Sequence, residues 1–463
     1  MTPDLCISSF IVFIRILSMA KIVPFRGIVY NPERVESLAS VATPPYDVIT
    51  PREQLAFYER HPWNIIRLIL GKTFEKDTPQ DNRHTRSADF FNVWLSEGIL
   101  VQDPSPAFYL TSIDFSVQSR KITRWGLISL VALEPFEKGV VLPHEKTFSR
   151  VKSERLELMK SCHANYSPIF SLYSDAEQMV VNALRQSCTE KSPDMKFVDT
   201  FGHLHRLWRV MDVAVHQRIS DFMKDKSIFI ADGHHRYETA LNYRQWIADR
   251  TPGFSPEHPA NFIMMYLCGM EDPGLVILPA HRMVKAISSE KMDSFITAAE
   301  ACFDISRFSM GSEIGPGTVM EKWDSLLNPG NSHTRIGVVT RNLPQGYLFS
   351  LKPGVMQRMF GNEMSERMLE LDVTVLTRLI LMELLGLNHS QLDDESIMSY
   401  SSKTDVALEA VRTGDCDAAF ILNSTRIDQV KRIAEAGEIM PRKSTYFYPK
   451  VITGQVLNRL TEN

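Results

Sequence analysis

Paired cysteines are missing from this chain. Its six cysteines, at positions 6, 162, 188, 268, 302 and 416, form no CxxC pair and no zinc-finger spacing. That excludes a disulfide-stapled or zinc-ribbon scaffold and reads as reduced thiols in a cytoplasm. A basic excess is missing too: 51 Lys and Arg stand against 55 Asp and Glu, a net charge of −4. Nucleic acid is therefore not an expected partner. No HExxH and no Cys/His cluster marks a dedicated metal site, and no Gly-rich P-loop marks a Walker nucleotide site. Repeats and low-complexity stretches are absent. The apolar N-terminal stretch CISSFIVFIRIL is broken by Arg15 and falls short of the roughly 20 residues of a spanning helix. No small-residue cleavage site follows it. Residues 1–18 read as a start placed too early or a disordered leader, ahead of a short membrane anchor, and Met19 opens MAKIVPFRG like a natural start. No membrane partner is expected.

What is present is an ordinary globular composition, 44% hydrophobic and 23% charged over 463 residues. That length asks for more than one core. Strand-like runs include KIVPFRGIVY (21–30), AFYLTSIDFS (107–116), RWGLISLVALE (124–134), SIFIADG (227–233), NFIMMYLCGM (261–270), GLVILPAHR (274–282), RIGVVTR (335–341), GYLFSLK (346–352) and CDAAFILN (416–423). Helical periods lie between them, at 87–100, 235–250, 290–302, 366–386 and 425–437. This interleaving predicts an α/β (or α+β) class with mixed sheets. The turn-rich DRTPGFSPEHPAN (249–261) suggests a boundary between a unit over 19–250 and a C-terminal α/β unit over 255–463.

The most informative stretch is IFIADGHHRYETALNYR (228–244). An apolar strand ends in the turn pair Asp232-Gly233, and a helical face of Tyr237, Ala240, Leu241 and Ala248 follows. His234, His235 and Arg236 therefore fall at a helix N-terminus, where backbone amides and the positive end of the helix dipole face outward. Such a place binds oxyanions, and a guanidinium adds a two-pronged phosphate grip. Asp232 is expected to cap the helix or to hold a metal carried by the phosphates. The plainer alternative is a capped helix with exposed polar side chains.

GHHRYETA resembles the signature of sulfiredoxin and the Gly-x-x-Arg turn of the ParB/sulfiredoxin superfamily, which binds nucleotide phosphates. The resemblance places Gly233 on the glycine, His235 on the histidine and Arg236 on the phosphate-binding arginine. His234 stands where sulfiredoxin has its nucleophilic cysteine, which argues against sulfinic-acid reduction. From Lys21 onward, PFRG, PPYDVI, HPWNIIRL, PHEKT, ADGHHRYETA and MPRKSTYFYPK together resemble the family of domain of unknown function 1015. The resemblance implies a ParB/sulfiredoxin-like core. The free-serine kinases of the same superfamily are its nearest enzymatic analogy.

Other residues are candidates for chemistry around that turn. PHEKTFSR offers His144 and Glu145 as bases for a hydroxyl substrate, with Lys146 and Thr147 beside them and Arg150 and Arg155 within reach of phosphate. PPYDVIT offers Asp47 as a further base and Tyr46 as an aromatic wall. Arg67 in HPWNIIRL, and His281 and Arg282 at the end of an apolar strand, are candidate substrate contacts. MPRKSTYFYPK is dense in donors, Arg442, Lys443, Ser444, Thr445, Tyr446 and Lys450, of which Lys443 and Ser444 are the anion-binding candidates. His203 and His205, spaced like alternate strand residues, are the nearest approach to a metal pair, but no metal ligand is assigned.

Three functions follow. The first is a nucleotide-dependent phosphotransferase on a small polar metabolite, with free serine the first substrate to try and Mg2+ arriving with ATP or ADP. In it Asp232, Gly233, His235 and Arg236 hold phosphate, Glu145 or Asp47 is the base and Lys443 neutralises charge. The second is a phosphatase of a small ester such as phosphoserine, with His234 as nucleophile or acid. The third is a non-catalytic nucleotide sensor. A small molecule and a nucleotide are the expected partners, and a homodimer is left open.

Overall fold

The computed structural model describes residues 20–117, 120–145, 149–309, 323, 325–327, 334–341 and 345–461. The leader expected over residues 1–18, and Lys146 and Thr147, lie outside the described residues, as does the side chain of Arg150.

Nine strands build the first sheet: β1 (Ile22–Val23), β2 (Phe108–Val117), β3 (Arg120–Ala132), β4 (Val141–Leu142), β5 (Ile169–Tyr173), β6 (Met195–Val198), β7 (Leu204–Val210), β8 (Ile228–Asp232) and β9 (Phe262–Gly269). Among the described residues their order is β4-β8-β5-β9-β3-β2-β7-β6, with β1 also on β3. The pairs β4–β8 and β5–β9 are parallel and the rest antiparallel. β9 is buried at every position, which is why it carries the unbroken run FIMMYLCG instead of an alternation. Helices cover one face, where Ile228, Ile230, Tyr237, Ile263 and Met265 share a core. The other face packs Phe170, Phe229, Met264 and Tyr266 against Phe447, Val451 and Val456 of the C-terminal tail.

The second sheet is antiparallel throughout: β10 (His281–Val284), β11 (Phe303–Ser309), β12 (Arg335–Thr340), β13 (Gln345–Leu351), β14 (Met398–Ser401) and β15 (Ala418–Ile421). It runs β11-β13-β12-β15-β10-β14. Its core joins Ile336, Val338, Phe349 and Phe420 to Phe295 of the helix Ser289–Ala299 and to Leu376, Leu379 and Ile380. Mixed sheets with helices between their strands make this an α/β protein in the broad sense, as the interleaved pattern predicts.

Four segments differ from the sequence reading. GLVILPAHR is two strands, Val276–Leu278 on Tyr446–Tyr448 and His281–Val284 in the second sheet, so His281 and Arg282 open a strand instead of ending one. KIVPFRGIVY is two short strands, because Pro24 has no N–H for the ladder; Ile22–Val23 joins the first sheet and Ile28–Tyr30 pairs with Leu100–Gln102. The boundary expected near 250–255 falls before β9, which lies inside the first sheet. The helical period over 366–386 is divided into Glu366–Leu369, Asp372–Thr374 and a π-helical run Val375–Leu384.

After the second unit the chain returns to the first. Tyr446–Tyr448 pairs with Val276–Leu278, Thr453 bridges Thr43, Leu457 bridges Ile28, and Asn458–Arg459 pairs with Ala164–Asn165. Buried Arg124 fixes this return: it donates to the Pro449 carbonyl (2.8 Å) and to the Tyr266 hydroxyl (3.1 Å), with its plane over the rings of Phe170 and Tyr266. No helix among the described residues is long and apolar enough to cross a membrane.

Candidate functional site

The strand–turn–helix lies where the sequence places it. β8 ends at Asp232, Gly233 adopts φ +101° as N-cap, and the helix runs His234–Ala248. A bulge between Ile230 and Asp232 in the pairing with β5 turns the Asp232 side chain out of the ladder. No side chain caps this helix, so Asp232 is not the cap that the sequence suggested. Its carboxylate instead accepts from Lys450 Nζ on Oδ1 (2.5 Å) and from Arg236 Nη2 on Oδ2 (2.7 Å). Arg236 also donates to the Pro168 carbonyl (2.5 Å). Gly233 is required twice: a side chain would be strained at that φ, and a Cβ there would stand 2.9 Å from Arg236 Nε.

Electrostatics tie these groups together. Burial alone would raise the Asp232 carboxyl, but Lys450 and Arg236 hold it well below the ordinary range. Burial would likewise lower the Lys450 ammonium; the Asp232 and Asp47 carboxylates outweigh it and leave it raised. Lys450 also lies 5.1 Å from the centre of the Tyr446 ring. Asp47 is exposed on this side. Tyr46 lies under the Arg155 guanidinium, 4.1 Å from its ring centre; burial, then Asp47, push its phenol up to about 12.

His144 packs against the same turn. The His144 backbone N–H donates to His234 Nε2 (3.2 Å), and the two rings meet edge to face at 4.7 Å. His144 Nε2 lies 3.1 Å from the Thr445 hydroxyl. Burial lowers His144 to about 4 and moves His234 in the same direction, so both imidazoles are neutral near pH 7. His234 accepts a backbone hydrogen bond through Nε2 and is 6% exposed, which makes it a poor phosphate nucleophile. Glu145 is only partly exposed. Burial raises its carboxyl, with Lys443 and then Lys450 acting against that rise. A carboxyl raised in this way is a stronger proton acceptor than an ordinary glutamate.

Two small cavities flank the Asp232 carboxylate. One, of about 60 Å3, is lined by Arg236, Tyr46, Arg155, Asn165, Ser167 and Thr239 among others. The second, of about 100 Å3, is lined by Lys450, Tyr446, Tyr448, Val48, Asp199 and His203 among others.

Several sequence candidates have other work. Ser444 is buried and donates to the Pro441 carbonyl (2.5 Å), so its hydroxyl is spent within its own turn. Lys443 is exposed, its carbonyl accepts from Arg282 and its charge reaches Glu145; Lys450 is the cation in contact with Asp232. Arg67 donates to the His61 and Tyr58 carbonyls (both 2.9 Å) and closes a helix end instead of facing the turn. Both ring nitrogens of His281 are engaged, with the Leu422 N–H (3.1 Å) and the Thr404 hydroxyl (3.0 Å). Buried Arg282 donates to the carbonyls of Ala280, Arg442 and Lys443. It borders a cleft of about 700 Å3 in the second unit, and its charge reaches Glu145. His235 stands in the first helical turn, partly exposed.

Sequence reasoning missed three residues. Lys450 was one donor among many in its motif. Arg124 gave no signal, lying within an apolar strand. Asp199 converges on His203 and His205, and only the two-residue spacing of the histidines pointed there.

The family model described as protein of unknown function (DUF1015) matches residues 22–374. The chain belongs to the DUF1015 family. A search of the curated proteins finds no match for this DUF1015 member. Among solved structures, a conserved hypothetical protein from Pyrococcus furiosus is 12% identical with a TM-score of 0.34, covering 70% of this chain and 92% of that one. A free serine kinase in complex with AMP is 11% identical with a TM-score of 0.36, covering 72% and 91%. SbnI with C-terminal truncation from Staphylococcus aureus is 8% identical with a TM-score of 0.32, covering 71% and 86%. These likenesses are distant, and no residue's role is taken from them.

Proposed function

We propose that this protein is a phosphotransferase that moves a phosphoryl group from a nucleotide to the hydroxyl of a small polar metabolite. The observation that carries this reading is the convergence of Lys450, Arg236 and Asp232 on the uncapped N-terminus of the helix His234–Ala248, with Glu145 beside them. Phosphoryl transfer asks chiefly for positioning and charge compensation. Helix amides, a guanidinium and an ammonium supply these. Arg236 is held by Asp232 and the Pro168 carbonyl, so an arriving phosphate takes the place of one of those contacts. Glu145, raised by burial, accepts the proton of the attacking hydroxyl, and Asp47 lies on the Lys450 side of the cluster. Any Mg2+ needed would arrive on the nucleotide, and Asp47 and Glu145 are the carboxylates near enough in charge to meet it.

The phosphatase alternative needs His234 as the attacking group, and its buried, hydrogen-bonded ring disfavours that. The test is direct. The purified chain is incubated with Mg2+ and ATP, ADP or CTP against a panel of hydroxy amino acids beginning with serine, and new phosphate esters are sought by phosphorus NMR. Ester formation supports transfer. Phosphate release from phosphoserine without nucleotide would replace this reading with hydrolysis, and nucleotide binding without turnover would replace it with a sensor.

A further inference from the structure

The turn joining β6 to β7 is built around one carboxylate. Asp199 N–H donates to the His203 carbonyl (2.9 Å), and Asp199 Oδ1 accepts from the backbone amides of Phe201 (2.8 Å) and His203 (2.9 Å). That leaves Oδ2 aimed across the hairpin end. Two imidazoles meet it there: His205 Nε2 at 2.9 Å and His203 Nδ1 at 3.2 Å. Residues 203 and 205 are two apart along an extended strand and so share a face. All three donor atoms lie within 4.8 Å of one another.

The rings are held from outside. Phe197, directly opposite in the ladder, stacks on His205 with 9° between planes and 4.9 Å between centres. His203 packs edge-on against Phe115 and Tyr448, and its Nε2 lies 3.1 Å from the Tyr448 hydroxyl. Both histidines are less than a tenth exposed. Stapling the turn would take a single imidazole. Here two converge on one carboxylate oxygen, and Asp199 and His203 line the cavity of about 100 Å3 that ends at Lys450.

We propose that Asp199, His203 and His205 form a binding site for a single divalent transition-metal ion, with open coordination positions facing that cavity. Tetrahedral ligand bonds of about 2.0–2.2 Å set neighbouring donor atoms roughly 3.3–3.6 Å apart, so the 2.9 and 3.2 Å contacts need open by only a few tenths of an ångström, roughly, to admit an ion. Two nitrogens and one carboxylate select Zn2+, Fe2+ or Co2+ over Mg2+, which demands an oxygen shell. Tyr448 orients the His203 ring through its far nitrogen, the usual task of an outer partner. The open positions would accept water or an oxyanion of a ligand in the cavity. The site does not depend on the phosphotransferase reading, because the metal is tested without nucleotide.

The full chain, stripped with a chelator, is titrated with ZnCl2 and with MgCl2 by calorimetry, and metal content is measured after dialysis. Stoichiometric Zn2+ bound at least about tenfold more tightly than Mg2+, and visible d–d absorption with Co2+, are the expected results. Asp199→Asn and His205→Gln should each lose the Zn2+ heat and the Co2+ bands while circular dichroism stays native. If either variant fails to fold, His203→Cys decides: it should keep Co2+ and gain a thiolate charge-transfer band. Weak, non-stoichiometric Zn2+ binding by the wild type, wild-type binding by the folded variants, or no new band in His203→Cys would overturn the proposal.

Discussion

Lys450 Nζ meets Asp232 Oδ1 at 2.5 Å across 218 residues of chain. The contact closes the C-terminal tail onto the turn at Asp232-Gly233, and both side chains are about 15% exposed. Removing the ammonium therefore leaves a largely buried carboxylate with Arg236 as its remaining ion-pair partner. Lys450→Met is expected to cost about 3–5 kcal/mol, the range for breaking a buried pair from one side. The pH dependence has two limbs. Asp232 is held below its ordinary value, so its share of stability is present above about pH 4 and lost as pH falls through the depressed value. Lys450 is raised, so its share is present below about pH 10 and lost as pH rises through the raised value. Urea melts of wild type and Lys450→Met across pH check both; equal midpoints at pH 7 would show that the pair contributes nothing.

Gly233 couples the backbone to the Arg236 guanidinium. At φ +101° with Arg236 Nε 2.9 Å from a built Cβ, Gly233→Ala must strain the turn and push the guanidinium off Asp232. About 1–3 kcal/mol of destabilisation is expected, together with weaker ATP binding. Arg236→Ala should weaken ATP binding and, like Lys450→Met, cost stability by leaving Asp232 one partner short, with the native fold still formed. Calorimetry on both variants separates a shifted guanidinium from a missing one, and unchanged affinity in Arg236→Ala would remove that residue from the site.

In the proposed transfer Glu145 is the base. Its carboxyl is raised by burial, so the acid limb of kcat/KM should fall off at a pH above the usual carboxylate value of about 4.3. Glu145→Gln should lower kcat about 10²–10⁴-fold and leave nucleotide affinity nearly unchanged. A pH–rate profile with the same acid limb in the variant would reassign the base, with Asp47 the next residue to test.

The turn at 228–244 was legible because three independent local signals coincide there: a buried apolar run, an Asp-Gly turn pair and a 3.6-residue period. The mixed-sheet class was legible from the interleaving of such runs. Sheet membership was not. FIMMYL reads alike as the first strand of a new unit or as the centre of an old one, and the choice is made by pairing with Ile169–Tyr173 and Arg120–Ala132 far upstream. The contact of Lys450 with Asp232 was hidden for a similar reason. The motif shows several cations, and which one reaches Asp232 depends on a tail anchored by Arg124 to Pro449. Asp199 was invisible because a hairpin turn, and no sequence spacing rule, brings its carboxylate to the two histidines.

The buried histidines make a last prediction that needs no substrate. Burial lowers His144 and His281 to about 4, whereas an unfolded chain titrates near 6.5. Between those values the unfolded state binds protons that the native state refuses, so stability falls as pH drops from about 6.5 toward 4. Each such group contributes a slope of roughly 1.4 kcal/mol per pH unit in that window. This loss begins well above the range in which Asp232 protonates, so the two are separable on the pH axis. His144→Gln removes one proton acceptor from the unfolded state without adding a charge to the core. Urea midpoints at pH 7.5, 6 and 5 should therefore fall less steeply for His144→Gln than for wild type. Parallel slopes would mean that His144 titrates in the native protein as it does in water, and that the loop it anchors to His234 opens to solvent.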